Sequence, residues 1–382
     1  MHRDYRIHEP GGSYMTETVY IGMDVHSTNY TLSSYTRETD NCFSTVTLKP
    51  EVKSILKYIK RIKEDHGDDT AIVTGYEAGC LGYSLYKDLE KEGIKCIIIA
   101  PTSLPKQKAG EIKTDKRDAQ KIARALAAGT YKSVYVPDQE DEDVKEYIRM
   151  RDDHKQTLKK TKQQINAFCM RNGFVFTEGK SKWTQKHIKW MRTLKMTAMQ
   201  RLILDEYLIT FDYYTLRIKQ MDEKIEEISN RERYKEDVDR LCCFAGMSVH
   251  KSLCHIVETG DFDRFPKAPA YSAYLGEVPG ESSSSTNVNR LGITKAGNRH
   301  LRMLDIEAAH AVGRTRKTKS KALIKRQQKC SPEVIAYADK ANERMRKMYL
   351  DLSLRKNKNI AAAAVARELS CFIWGMMTDH IS

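Results

Sequence analysis

Apolar and polar positions along this chain change period twice. In the first third, three short runs rich in β-branched and aromatic residues are bounded by polar turns: Thr18–Val25, Tyr30–Tyr35 and Phe43–Leu48. They predict three strands. Pro50 then opens a helix, Glu51 to Glu64, with Val52, Ile55, Ile59 and Ile62 on one side. A strand (Ala71–Tyr76), a helix (Leu81–Glu92), a strand (Lys95–Ala100) and a helix from Asp115 follow. The middle third is helical and highly charged. Asp143 to Cys169 carries apolar residues sparsely, at Val144, Ile148, Leu158, Ile165 and Phe168, so that helix is expected to be mostly exposed. Leu204, Tyr207, Phe211, Tyr214, Ile218, Met221, Ile225 and Ile228 then recur at spacings of three and four, the period of a coiled-coil seam. That seam faces either a second copy of the chain or the helix Asp143–Cys169; a hairpin that also dimerises satisfies both. From Glu236 onward a helix, a turn centred on Gly246 and a second helix (His250–Glu258) resemble a helix-hairpin-helix element, which holds phosphate through backbone N–H groups. Ala361 to Met377 is the most apolar late segment, but it carries Arg367 and Glu368. It reads as a core helix rather than a membrane span.

Three meandering strands followed by helix, strand, helix, strand, helix is the ribonuclease H order, an α/β fold. Its first and fourth strands are central neighbours. Asp24 closes the first of these runs and Glu77 closes the fourth, so the fold brings the two together. Asp115 and Asp118 sit one helical turn apart at the start of a helix and share a face. Hard divalent cations need several oxygen ligands, and Mg²⁺ uses few protein ligands beside water and phosphate. The four acids therefore point to a metal site and to phosphodiester chemistry. Asp115 and Asp118 also fit an N-cap and its box partner, worth about 1 kcal/mol, a role compatible with metal binding. The loop Pro101–Glu111 lies beside this site, with Lys106 and Lys108 placed for phosphate contacts.

Length and charge extend the picture. A chain of 382 residues suits two or three domains, and 40% hydrophobic residues suffice for real cores. The expected division is a flexible N-terminal extension (1–17), a nuclease domain (18–137), a helical coiled-coil region (138–235) and a C-terminal domain (236–382). Lys and Arg outnumber Asp and Glu by 65 to 51, a formal +14, which predicts an anionic partner, nucleic acid before membrane. Arg290 to Lys358 alone holds 19 Lys/Arg against six Asp/Glu, net +13. On this reading that stretch is the electrostatic footprint. The nine cysteines are scattered, with no CxxC pair, as expected of reduced thiols in a cytoplasm. Met1 to Tyr14 is polar and reads as neither signal peptide nor anchor, and Met15 is an alternative start.

One block of the C-terminal third stands apart. Tyr274-Leu275-Gly276-Glu277-Val278-Pro279 leads into Ser282-Ser283-Ser284-Ser285, and Asn289-Arg290-Leu291-Gly292-Ile293-Thr294-Lys295-Ala296-Gly297-Asn298-Arg299-His300-Leu301-Arg302 follows. A serine cluster beside a basic, Gly-punctuated turn and an Asn-capped helix suits an exposed nucleophile near bound phosphate. Lys295, Arg299 and Arg302 are the expected phosphate binders, with a structural ion-pair role open for each.

Four motifs together carry a resemblance: Tyr20-Ile21-Gly22-Met23-Asp24-Val25-His26, Tyr76-Glu77-Ala78, Lys113-Thr114-Asp115-Lys116-Arg117-Asp118-Ala119, and the block from Leu275-Gly276-x-Val278-Pro279 to Ile293-Thr294-Lys295-Ala296-Gly297-Asn298. From Thr18 onward the chain resembles the DEDD transposases of the insertion sequence 110 family. The resemblance implies a RuvC-like nuclease domain whose four acids, Asp24, Glu77, Asp115 and Asp118, bind Mg²⁺, as a two-metal site or with Mn²⁺ in its place. It implies a coiled coil joining that domain to one bearing a catalytic serine, five residues after the Pro, here Ser284. The family follows this serine with Gly where this chain has Ser285, so Ser283 stays an alternative. Further implications are donor and target DNA, an element-encoded noncoding guide RNA, a dimer or tetramer, and a prokaryotic cytoplasm with action at the nucleoid. Lys106, Lys108, Lys113, Arg290, Lys295, Arg299 and Arg302 form the expected nucleic-acid-binding set. Strand exchange would run through attack by Ser284 on a phosphodiester. Two rival functions stand beside it: a junction-resolving nuclease using water, and a non-catalytic nucleic-acid-binding protein.

Overall fold

The computed structural model describes residues 17–79, 81–104, 112, 114–281 and 290–381. The chain separates into two compact units, one ending at Val136 and the other beginning at Pro137.

The first unit is built on five strands: β1 (Thr18–Val25), β2 (Tyr30–Tyr35), β3 (Cys42–Leu48), β4 (Ala71–Glu77) and β5 (Lys95–Ile99). Their order in the sheet is β3-β2-β1-β4-β5. The first three strands pair antiparallel, while β4 runs parallel to both β1 and β5. Parallel neighbours need a crossover connection, supplied by α1 (Val52–His66) between β3 and β4 and α2 (Ser84–Lys91) between β4 and β5. The third helix, α3, spans Asp115–Ala128. Alternation along β1 sorts its side chains between two layers. Val19, Ile21 and Met23 enter a core with Ile55, Ile59 and Ile62 of α1 and Leu85 and Leu89 of α2. Tyr20 turns to the other side, against the residues of α3. Gly22 shares that second face. A Cβ on it would lie 2.1 Å from the Ala119 carbonyl oxygen and 2.3 Å from the Ala123 nitrogen. Its absence lets α3 settle directly on the sheet. Gly75, its partner across the β1–β4 ladder, faces the Leu126 methyls in the same way.

The second unit is helical. Its elements are α4 (Gln139–Arg171), α5 (Gln185–Thr193), α6 (Ala198–Ser229), α7 (Glu232–Leu241), α8 (Val249–Thr259) and α9 (Ala268–Leu275). A short hairpin follows, β6 (Pro279–Glu281) and β7 (Arg290–Ile293), and then α10 (Arg299–Val312), α11 (Lys321–Gln327), α12 (Pro332–Ser353) and α13 (Lys358–Met377). The periodic seam expected on α6 is taken up within the chain. Val144 and Ile148 of α4 share one core with Ile225 and Ile228, while Ile165 and Phe168 share another with Leu204, Leu208 and Phe211. The two helices therefore form an antiparallel hairpin. Its base belongs to the main C-terminal core, and its far end has a core of its own, closed by Met191 of α5. The region expected as a separate domain over 138–235 is thus continuous with the C-terminal helices. The apolar α13 is long enough to cross a membrane by composition alone, but Ala361, Val365, Leu369, Ile373 and Met376 line the main core. The cysteines among the described residues are free thiols.

Candidate active site

The site in the first unit follows from strand register and alternation. Asp24 lies two residues beyond Gly22 and so shares its face, above the start of α3. On β1 and β4 the last register pair is Met23 with Tyr76; Asp24 and Glu77 are the next residues of the two strands, on that same face. Thr114 caps α3, accepting from the Arg117 N–H at 3.4 Å. Neither aspartate of the first turn is needed as a cap, so the capping role considered for Asp115 and Asp118 belongs to Thr114. Both carboxylates also stand at the helix end whose free N–H groups favour negative charge.

The ligand atoms of Asp24, His26 and Asp115 lie within 4.8 Å of one another. The Asp24 carboxylate is 19% exposed, with His26 Nε2 3.5 Å from its Oδ1. Burial pushes the Asp24 pKa up, His26 opposes this, and the charges of Asp115 and Asp118 push it further up. A partly buried carboxylate facing like-charged neighbours is relieved by a cation. Glu77, exposed at the end of β4, is not part of the closest group. His26, in the turn after β1, is a member the sequence did not single out. Its signal in the sequence was its place as the last residue of the Tyr20–His26 motif, two residues after Asp24. Lys106, Lys108 and Lys113 lie outside the described residues, as do Ser283 and Ser284.

In the second unit the residues flanking the serines are tied together. Gly276 ends α9 in the left-handed region (φ 71°). Its carbonyl accepts from Lys295 N at 3.0 Å, and the Tyr274 carbonyl accepts from Asn298 N at 2.9 Å. A Cβ on Gly297 would fall 2.1 Å from that Tyr274 oxygen, so the glycine permits this junction. The Asn298 side chain caps α10, accepting from His300 N and Leu301 N. The Ile-Thr-Lys-Ala-Gly-Asn motif thus fixes the end of α9 to the start of α10. Lys295 and Arg299 are exposed; Arg290 belongs to β7, but its side chain lies outside the described residues. Arg302 is a different case. It is 8% exposed and donates from Nη1 to the Leu275 carbonyl at 2.6 Å, near Glu277, whose pKa is raised well above the carboxylate range by burial and then by Asp305. Its guanidinium is committed to the protein interior, which removes it from the phosphate-binding set.

Beside this junction lies a buried ionic network. His300 Nε2 donates to Asp152 Oδ2 at 2.7 Å and Nδ1 donates to Glu258 Oε1 at 3.0 Å. Arg149 forks onto Glu258 at 2.8 and 2.9 Å, Asn298 Nδ2 donates to the same carboxylate at 3.0 Å, and Arg151 bridges Asp152 and Asp222. Burial favours a neutral His300 ring, yet hydrogen bonds to Asp152, Cys254 and Glu258 outweigh it and push the pKa up to about 12. Cys254, Glu258 and His300 are close enough to share an ion, but both ring nitrogens of His300 and both oxygens of Glu258 are already engaged. The network joins α4, α6, α8 and α10.

A strand-end carboxylate gathered with one that opens α3, in a chain whose helical unit carries a large basic surplus, is the arrangement expected of an enzyme acting on nucleic-acid phosphodiesters. Residues 21–171 match the family model of DEDD transposases of the IS110 type, and residues 238–325 match the model described as "Transposase IS116/IS110/IS902 family". Over 256 residues the chain is 34% identical to the transposase for insertion sequence element IS1533 of Leptospira borgpetersenii, covering 65% of this chain and 71% of that one. The y4qE protein of Sinorhizobium fredii is 33% identical over 306 residues, 80% of this chain and 75% of its own. The transposase for insertion sequence element IS1111A of Coxiella burnetii is 25% identical over 285 residues, 70% and 77% of the two chains. The protein belongs to the IS110 family of insertion-sequence transposases, enzymes that catalyse DNA strand transfer.

Proposed function

We propose that this transposase cuts and rejoins DNA by strand exchange through a phosphoserine intermediate, on a ribonuclease-H-like, RuvC-like domain that binds Mg²⁺. The observation carrying the metal reading is the convergence of Asp24, Asp115 and His26, with Asp118 acting electrostatically on Asp24 and Glu77 ending the adjacent strand. The β3-β2-β1-β4-β5 order supports the fold assignment. The carboxylate oxygens suit Mg²⁺ or Mn²⁺, while the His26 imidazole is a softer donor that Mg²⁺ takes up less readily. Bound there, the ion polarises phosphate oxygens and stabilises charge on attacking and leaving oxygens. The chain's own part is nucleophilic. Ser284 Oγ loses its proton and bonds to phosphorus, the P–O3′ bond breaks, and the released 3′ oxygen takes up a proton. A 3′-OH then attacks the phosphoserine in the joining step, returning the serine hydroxyl. Lys295 and Arg299 hold backbone phosphates. An element-encoded guide RNA selects the DNA.

The assembly is proposed to be a homo-oligomer. The inward seam of α6 is occupied by α4, but Met199, Leu202, Ile209, Tyr213 and Leu216 are all more than half exposed. Their spacings of three, seven, four and three give an outward seam for a second copy.

The function is tested by incubating the protein with Mg²⁺, end-labelled junction DNA of its own element and RNA transcribed from the flanking noncoding end. Denaturing electrophoresis should show labelled DNA attached to protein, lost in Ser284→Ala and retained in Ser283→Ala. Cleavage without an adduct, unchanged in both variants, would instead identify a nuclease that uses water.

A further inference from the structure

A second basic region lies outside the stretch that dominates the sequence. From His154 to Leu204 the chain carries nine lysines and three arginines against a single acid, Glu178, net +11. With +13 from Arg290 to Lys358, the remainder of the chain is net −10. The overall +14 hides this second surplus because acids elsewhere cancel it.

The fold concentrates these cations at the far end of the α4–α6 hairpin. They occupy the second half of α4, α5, the connections around it and the first residues of α6. Lys159, Lys160, Arg171, Lys180, Lys189 and Lys195 are exposed and meet no carboxylate among the described residues. On α5, His187 and Met191 are buried while Lys186, Lys189 and Arg192, three residues apart, line the exposed side. The region is a folded head, with Leu204, Leu208, Phe211 and Met191 in its own core. The basic half of α4, residues 154–171, is about 27 Å long, comparable with one turn of duplex DNA at about 34 Å. It starts beside α10, where Lys155 pairs with Glu307 at 3.6 Å.

We propose that this head is a second DNA-binding surface, gripping the phosphate backbone of a duplex without reading its sequence. Lysines predominate, and a flexible, hydrated ammonium holds phosphate as a point charge rather than forking onto a base edge. The aromatic rings are spent within the head. Trp183 stacks on Phe211 with centroids 5.3 Å apart, Trp190 stacks on His187 at 5.5 Å, and Lys162 lies 5.3 Å above Trp183. They are not free platforms for the unpaired bases of single strands, so a duplex fits this surface better. The proposal does not depend on the metal site or on the serine.

The test is binding of the full-length protein to a labelled duplex of arbitrary sequence, in chelator, across a salt series. The variant replaces Lys159, Lys160, Lys180, Lys189 and Lys195 together by alanine; a second set places glutamine at the same positions. Each phosphate contact contributes about 0.9 to the slope of log affinity against log salt. Both variants should give a slope shallower by about 3 to 4 and an affinity at least about tenfold weaker near 0.1 M salt. Their thermal unfolding should match the parent. Wild-type slope and affinity in either folded variant would overturn the proposal, as would a loss confined to structured RNA. An Asp118→Ala background should show the same change, which separates this result from any failure of the strand-exchange reading.

Discussion

Asp24 occupies a poor place for an anion: most of its surface is buried, and Asp115 and Asp118 add charge of its own sign. Nothing in packing the sheet requires three carboxylates there, since Thr114 already caps α3. Their convergence makes sense if a cation compensates them when bound. Asp118→Ala should therefore abolish strand transfer while leaving duplex binding in chelator and thermal stability close to wild type. Recombination by that variant at the normal rate, measured on a plasmid substrate, would remove Asp118 from the site. The grouping of Asp24 with Asp115 was legible in the sequence because the first ends an apolar run and the second opens a helix. His26 was not, because a single histidine in a polar turn looks the same whether or not an aspartate folds against it. Arg302 misled for a related reason. An arginine beside a glycine-rich turn suits phosphate, and only the tertiary structure shows its guanidinium drawn inward to the Leu275 carbonyl.

Elements were legible where their period is clean. β1 and β2 begin and end where the alternation does, β3, β4, β5 and α1 lie within two residues of expectation, and α3 starts at the expected Asp115. The hairpin of α4 and α6 was legible only as one of two alternatives, because a seam at three-and-four spacing does not say which helix fills it. The ionic network was invisible, its members being spread from Arg149 to His300. Yet it tethers the start of α10 to α4 and α8. His300 lies between two carboxylates, and removing a partner from such a buried set costs about 3–5 kcal/mol. The sign of its pH dependence is set by a folded pKa raised above the 6.5 of the free ring. Its stabilisation is complete below pH 6.5 and is lost as pH rises through the folded value. Between pH 6.5 and 9 the wild type should lose stability relative to His300→Gln, by up to about 1.4 kcal/mol per pH unit. Urea unfolding at several pH values checks this; parallel profiles for the two proteins would show that His300 is not held as a cation.

At the scale of the whole molecule, charge and apolar surface are both unevenly distributed, and each unevenness has a consequence. The basic surplus falls in two stretches, and an acidic remainder of −10 keeps the total moderate, which is why the sequence revealed one stretch and concealed the other. Apolar exposure is likewise concentrated. Leu202, Ile209 and Leu216 recur every seven residues along the solvent side of α6, a repeat that a solitary surface helix has no reason to keep. These side chains enter none of the buried cores. Replacing all three by serine should therefore leave the unfolding midpoint of the protomer nearly unchanged, since surface substitutions away from the core usually alter stability by less than about 0.5 kcal/mol each. The same change should convert an oligomer to a monomer in sedimentation equilibrium. Strand transfer should fall with it, because joining two duplexes calls for more than one active site. A wild-type chain that sediments as a monomer, or a triple variant that still self-associates as strongly as its parent, would rule out this face as the interface.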